Sequence, residues 1–186
     1  MEEARLERLN GGLAPTTDGW FVVNAREAPW LDNDDFGHRV IFEADPRIIR
    51  GRDDLEPRWF PQLGIKLTVI GPGQPSTLYH AETSQEDFLV LSGRCTLVIE
   101  EEERELVAWD FVHCPPGTLH AFVNTGVEPC VLLMVGARDP NGAILYQPSP
   151  VAERHGASVE TETDSPHAAY GLRPHWRNAD GPPAGF

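Results

Sequence analysis

Cysteine is scarce in this chain, a C-x-x-C pair is absent, and positive charge is in short supply. The three cysteines, Cys95, Cys114 and Cys130, are odd in number and each lies in a strand-like apolar run. A disulfide framework and a zinc knuckle are therefore not expected; buried, reduced thiols are. Fifteen lysines and arginines stand against twenty-nine aspartates and glutamates, a formal net charge of −14. A surface that acidic repels phosphate backbones and anionic lipid, so neither nucleic acid nor membrane is expected as a partner. No basic stretch leading into an apolar one opens the chain, and no apolar run reaches transmembrane length, which predicts a cytoplasmic protein. A helix-turn-helix segment and a repeat of fixed period are also missing.

What is present is a chain of 186 residues, 40% hydrophobic, with 17 glycines and 17 prolines. That length suits one domain with modest extensions, and the turn formers suit short strands in tight succession. The ten residues MEEARLERLN read as a short helix, acidic at its start, basic near its end and stopped by Gly11 and Gly12. WFVVN at 20–24, HRVIF at 38–42 and LGIKLTVI at 63–70 are β-branched and aromatic runs. The stretch holding Pro29, Asn33, Asp34, Asp35 and Gly37 has the composition of a loop. Between 45 and 61, Arg47, Arg50, Arg52 and Arg58 gather, either as a local anion-binding lid or paired with Asp53, Asp54 and Glu56.

From residue 78 to 135 the chain falls into hairpins. Strands are expected at 78–82, 86–91, 95–100, 104–107, 111–114, 120–124 and 129–135, punctuated by turn chemistry at Ser92-Gly93, Pro115-Pro116-Gly117 and Thr125-Gly126. The acidic run at 100–105 belongs at a solvated hairpin tip. FLVL at 88–91 and VLLMV at 131–135 are apolar at both parities, so both faces should be covered, which favours a homodimer. Past Ala137, Ser149-Pro150 and Ser165-Pro166 each read as an N-cap with proline at N1 of a short helix. LRPHWRNADGPPAGF, at the end, reads as an extended arm or a disordered tail.

Within the hairpins, one constellation carries chemistry. His80 and Glu82 are two apart and share a strand face. A short corner at 83–85 returns Glu86 to that face, and His120 leaves the Pro-Pro-Gly turn three residues past Gly117. Imidazoles and carboxylates converging in an apolar interior are best explained by a divalent metal. Phe88, Val90, Phe122 and Met134 either wall a pocket or pack the core. Asn124 reads as a turn brace, and His113, of opposite parity to His120, as a surface or packing residue.

These residues resemble the cupin superfamily. Its first motif is Gly, five residues, His-x-His, three or four residues, Glu, six residues, Gly; its second is Gly, five residues, Pro-x-Gly, two residues, His, three residues, Asn. Glu86 and Gly93 fit the first motif with His80 at its first histidine, and Pro115, Gly117, His120 and Asn124 fit the second. Glu82 replaces the second histidine, Gln74 stands where a glycine is expected with Gly73 one residue away, and Trp109 replaces the opening glycine of the second motif. The resemblance implies an all-β, antiparallel jelly-roll barrel over 19–138. A lead over 1–18 and an extension over 139–186 would flank it with short helices.

The candidate metal residues are His80, Glu82, Glu86 and His120, for manganese, iron, zinc or nickel. Two neutral histidines and two carboxylates cancel a divalent charge, so this site should attract an anionic substrate less than a three-histidine site. Alternatively, His80, Glu82 and His120 form a two-histidine-one-carboxylate triad with Glu86 beside it. A small-molecule metalloenzyme, dioxygenase-like or a metal-assisted isomerase or lyase, is one function class. A non-catalytic small-ligand-binding or sensing module is the other, since fold alone does not fix function. No catalytic residue is assigned.

Overall fold

Short apolar runs separated by glycine and proline turns can bury their faces only against one another, and two large sheets result beside a two-stranded one. The computed structural model describes residues 1–9, 12–43, 59–171 and 173–185; the arginine cluster at 47–58 lies outside them. In chain order the strands are β1 (Leu6–Leu9), β2 (Gly12–Pro15), β3 (Trp30–Asn33), β4 (Gly37–Ile41), β5 (Leu63–Ile70), β6 (His80–Glu82) and β7 (Glu86–Ser92). They continue as β8 (Arg94–Ile99), β9 (Glu102–Val107), β10 (Phe111–Cys114), β11 (His120–Val123), β12 (Cys130–Ala137), β13 (Ile144–Tyr146) and β14 (Arg177–Ala179). Helices α1 (Pro150–Glu153) and α2 (Pro166–Tyr170) lie before β14.

One sheet has the order β10-β7-β12-β5-β4-β3-β14 and the other β13-β6-β11-β8-β9, with antiparallel ladders throughout. Their inner faces share one core. Ile70, Phe88, Val90, Leu132 and Met134 of the first sheet meet Cys95, Leu97 and Phe122 of the second. The structure is thus mostly β and antiparallel, as expected, and no ladder joins the two sheets among the described residues. The cysteines are free and buried.

Both faces of the central strands are covered in part. On the outer face of the larger sheet, Val69 and Val131 pack with Trp30, Val40 and Ala28, and Leu91 leans on the same cluster. On the outer face of the smaller sheet, Val98, Ala121 and Val123 meet Tyr79, Ala152 and Ala157. The C-terminal extension supplies that last cover. Its helices start as read: Ser149 accepts from the Ala152 N–H, Ser165 accepts from the Ala168 N–H, and each helix has proline in its first turn.

Four expectations are corrected. Residues 6–9 are a strand, not part of a helix: β1 pairs with β2 in register Leu6↔Pro15 to Leu9↔Gly12. A helix that short is marginal alone, and pairing buries Leu9 and Ala14 instead. WFVVN is not a strand; Trp20 makes only a bridge to Glu3, and Val22 is exposed. The strand beside β4 is β3, in the stretch read as loop, and the tail is not a free arm because β14 pairs with β3.

Candidate metal centre

His80 and His120 stand opposite one another in the β6–β11 ladder, their rings 5.0 Å apart. Glu86 opens β7 in the other sheet, paired with Cys114 and Gly136. The site therefore bridges the two sheets at one end of their common core. One ligand atom from each of His80, Glu86 and His120 lies within 4.8 Å of the others. His120 Nε2 is 3.5 Å from a Glu86 carboxylate oxygen.

Both imidazoles are turned the same way. His80 Nδ1 lies 2.7 Å from the Leu78 carbonyl and His120 Nδ1 3.0 Å from the Thr118 carbonyl. A carbonyl only accepts, so each Nδ1 carries the proton and each Nε2 keeps its lone pair. Phe88 flanks His120 at 5.1 Å between ring centroids and packs on Phe122 at 4.6 Å. That aromatic floor removes water from one side of the group.

Burial sets the electrostatics, favouring the neutral form of every group here. It is the main cause that drives His80 down to about 3, with the His120 ring adding to it. His120 is lowered too, mainly by burial, against the pull of its bond to Thr118. Glu82 is raised by burial and then by the Glu86 carboxylate; Glu86 is raised by burial while Lys66 holds it down. Neutral imidazoles are ready ligands, and a cation would reverse the carboxylates' resistance to ionising, so the donor set fits a divalent ion.

Glu82 is not in the converging group. It is half-buried and lines three cavities, of about 710, 430 and 390 Å³, that meet around it. Phe88, Val90 and Phe122 pack the core, while Met134 also lines the smallest of these cavities and accepts a hydrogen bond from the Thr68 hydroxyl at 3.4 Å. Asn124 is the expected brace, donating to the Ile70 and Glu128 carbonyls at 2.8 Å and accepting from the Gly126 N–H at 2.9 Å. His113 is a surface residue 2.7 Å from Asp87.

Sequence reasoning missed two cations. Lys66 on β5 shares the parity of Thr68 and Ile70, and Arg39 on β4 is opposite Thr68, so both face inward. Both line the 430 and 390 Å³ cavities. The available signal was a lysine in the middle of the apolar run 63–70, at the parity of Ile70. Tyr146, the β13 partner of His80 with rings 5.6 Å apart, was missed as well.

Comparison with known proteins matches a family model described as a cupin domain to residues 66–136. A curated relative, an uncharacterised protein of Methanocaldococcus jannaschii, is 29% identical over 65 residues, 35% of this chain. The chain spans about half the length of that relative, 52%. Among solved structures, a presumed sugar phosphate isomerase of Acidithiobacillus ferrooxidans is 31% identical with a TM-score of 0.45, over 57% of this chain and 64% of that one. A sugar phosphate isomerase of Silicibacter pomeroyi is 24% identical with a TM-score of 0.45, over 78% and 79% of the two chains. With the antiparallel sheets and the matched residues together, this chain carries a cupin domain over residues 66–136.

Proposed function

We propose that this is a metal-dependent enzyme acting on a small organic molecule, with His80, Glu86 and His120 as the metal ligands. The observation that carries the reading is their convergence from both sheets, with each Nδ1 tied to a carbonyl and each Nε2 left to donate. A divalent ion bound there would stabilise negative charge developing on a substrate oxygen.

Glu82 has a different role in this reading. Standing apart from the ligand group at the meeting of three cavities, it faces whatever enters them. Its carboxyl is held above the ordinary range by burial, suited to taking a proton from substrate and returning it. That arrangement supports metal-assisted isomerisation or elimination over dioxygen chemistry. Glu82→Gln should keep the metal content of the wild type while turnover in a screen of small organic substrates falls at least a hundredfold, on the order of the general acid–base contribution. Loss of bound metal in Glu82→Gln would make Glu82 a fourth ligand and remove it from this role. Metal binding with no turnover of any substrate would favour the non-catalytic binding module.

A further inference from the structure

The 430 Å³ cavity beside the metal group has features that metal binding alone does not use. His80 and Glu82 form part of its lining, and the C-terminal extension forms another wall through Tyr170 and Trp176. Lys66 and Arg39 enter it from neighbouring strands as diagonal cross-strand partners, since Arg39 faces Thr68 and Lys66 faces Ile41. Like charges so placed repel one another. Among the described residues Lys66 makes no ion pair within 4.0 Å. The Arg39 guanidinium lies over the Trp176 ring at 4.0 Å, which joins the extension to the sheet.

An independent observation comes from Ser76. It is 5% exposed, lines the same cavity, and its hydroxyl finds no hydrogen-bond partner among the described residues. A buried hydroxyl left unpaired is costly, so one that lines the same cavity as two basic side chains marks a place for an acceptor. Charge points the same way. Lys66 and Arg39 line this cavity together with Glu82, and a divalent ion in the neighbouring metal group would add positive charge beside it.

We propose that this cavity binds a small organic anion, its oxyanion head on Lys66, Arg39 and the Ser76 hydroxyl and its apolar body against Tyr146, Tyr170 and Trp176. This rests on the metal reading and names the substrate class of that site. Aromatic walls around a charged head discriminate against neutral analogues of the same shape.

Calorimetric titration of the manganese-loaded protein tests it, with benzoate, its neutral isostere benzamide and inorganic phosphate as probes, and metal content measured on the same samples. Benzoate should bind about tenfold or more tightly than benzamide, in line with a charge-assisted hydrogen bond. Lys66→Met should weaken benzoate by about ten- to a hundredfold and leave benzamide unchanged, Lys66→Arg should restore most of it, and Ser76→Ala should cost several-fold. Competition by phosphate against benzoate, sensitive to Lys66→Met, would support the same site and assign a phosphate-type head; its absence with benzoate bound assigns a carboxylate. Wild-type protein that does not distinguish benzoate from benzamide, or Lys66→Met that binds benzoate as the wild type does, overturns the proposal. Should Lys66→Met fail to fold, the wild-type comparison and Ser76→Ala still decide it. Metal bound without anion preference overturns this inference alone; anion preference without stoichiometric metal overturns the metal reading alone.

Discussion

At the scale of single residues, the two histidines show why a buried ligand sets its own pH limits. His80 titrates near 6.5 in an unfolded chain and at about 3 in the fold, so the unfolded state binds the extra proton first. Its contribution to stability is therefore neutral above pH 6.5 and becomes a growing penalty as pH falls from 6.5 towards 3. Glu82 and Glu86, raised by burial, act oppositely: the metal-free fold holds their protons longer than the unfolded chain, so their cost appears as pH rises through their folded values. Metal-free His80→Leu should lose less stability than wild type between pH 6.5 and 4, measured by urea unfolding across that range. Equal slopes would show that His80 is protonated in the fold. His80, Glu86 and His120 were legible because their spacing needed only hairpin geometry. Glu82, expected as a ligand on parity alone, is not in the converging group: residues two apart share a face but lie roughly 7 Å apart along a strand, so a shared face is not by itself a shared point.

At the scale of elements, the hairpins from β5 to β12 were legible and the flanking strands were not. Alternation and turn chemistry are local, whereas β3 reads WLDN and its polar residues are satisfied from far along the chain. Asn33 donates to the Pro174 carbonyl at 2.7 Å, and Asp32 pairs with Arg177, both more than 140 residues away. Local composition carries no trace of those partners. The turns of the matched motifs are instructive in another way. Gly93 sits at φ 78°, and a Cβ there would lie 2.5 Å from the Pro129 carbonyl oxygen, so the motif glycine is required. Trp109, where the second motif opens with glycine, has φ 79° and is 76% exposed. The left-handed region costs a side-chain-bearing residue about 1–2 kcal/mol, and nothing is buried in return. Trp109→Gly should thus raise stability by about 1 kcal/mol in chemical denaturation, while Gly93→Ala should lower it by at least as much. A neutral or destabilising Trp109→Gly would show that the exposed indole makes a contact in solution.

At the scale of the whole molecule, one end of the larger sheet carries an apolar row. Phe111 is paired with Leu89, Leu89 with Leu133 and Leu133 with Leu67, all across the outer face of the larger sheet. Phe111 is exposed and Leu89 and Leu133 are half-buried, since the N-terminal segment covers the Trp30 side of this sheet and not this end. We propose that the row pairs with a second copy of the chain. Sedimentation velocity should give a dimer that Phe111→Glu converts to monomer; a wild-type monomer at tens of micromolar would refute it. Among the described residues no helix is long and apolar enough to cross a membrane. The C-terminal extension, which composition marked as a departure from the barrel, both covers one sheet and walls the cavity beside the metal group. That dual role depended on packing between residues over 100 positions apart, such as Arg39 and Trp176, and so was invisible in the sequence.

The central claim is that His80, Glu86 and His120 hold a divalent ion. Elemental analysis of protein purified without chelator and supplied with manganese, iron, zinc and nickel tests it most directly. The account predicts about one ion per chain in the wild type, as expected of three converging protein ligands that leave a position for substrate, and loss of most of that metal in both His120→Ala and Glu86→Ala. Wild-type protein without stoichiometric metal, or either variant at full metal content, would contradict it.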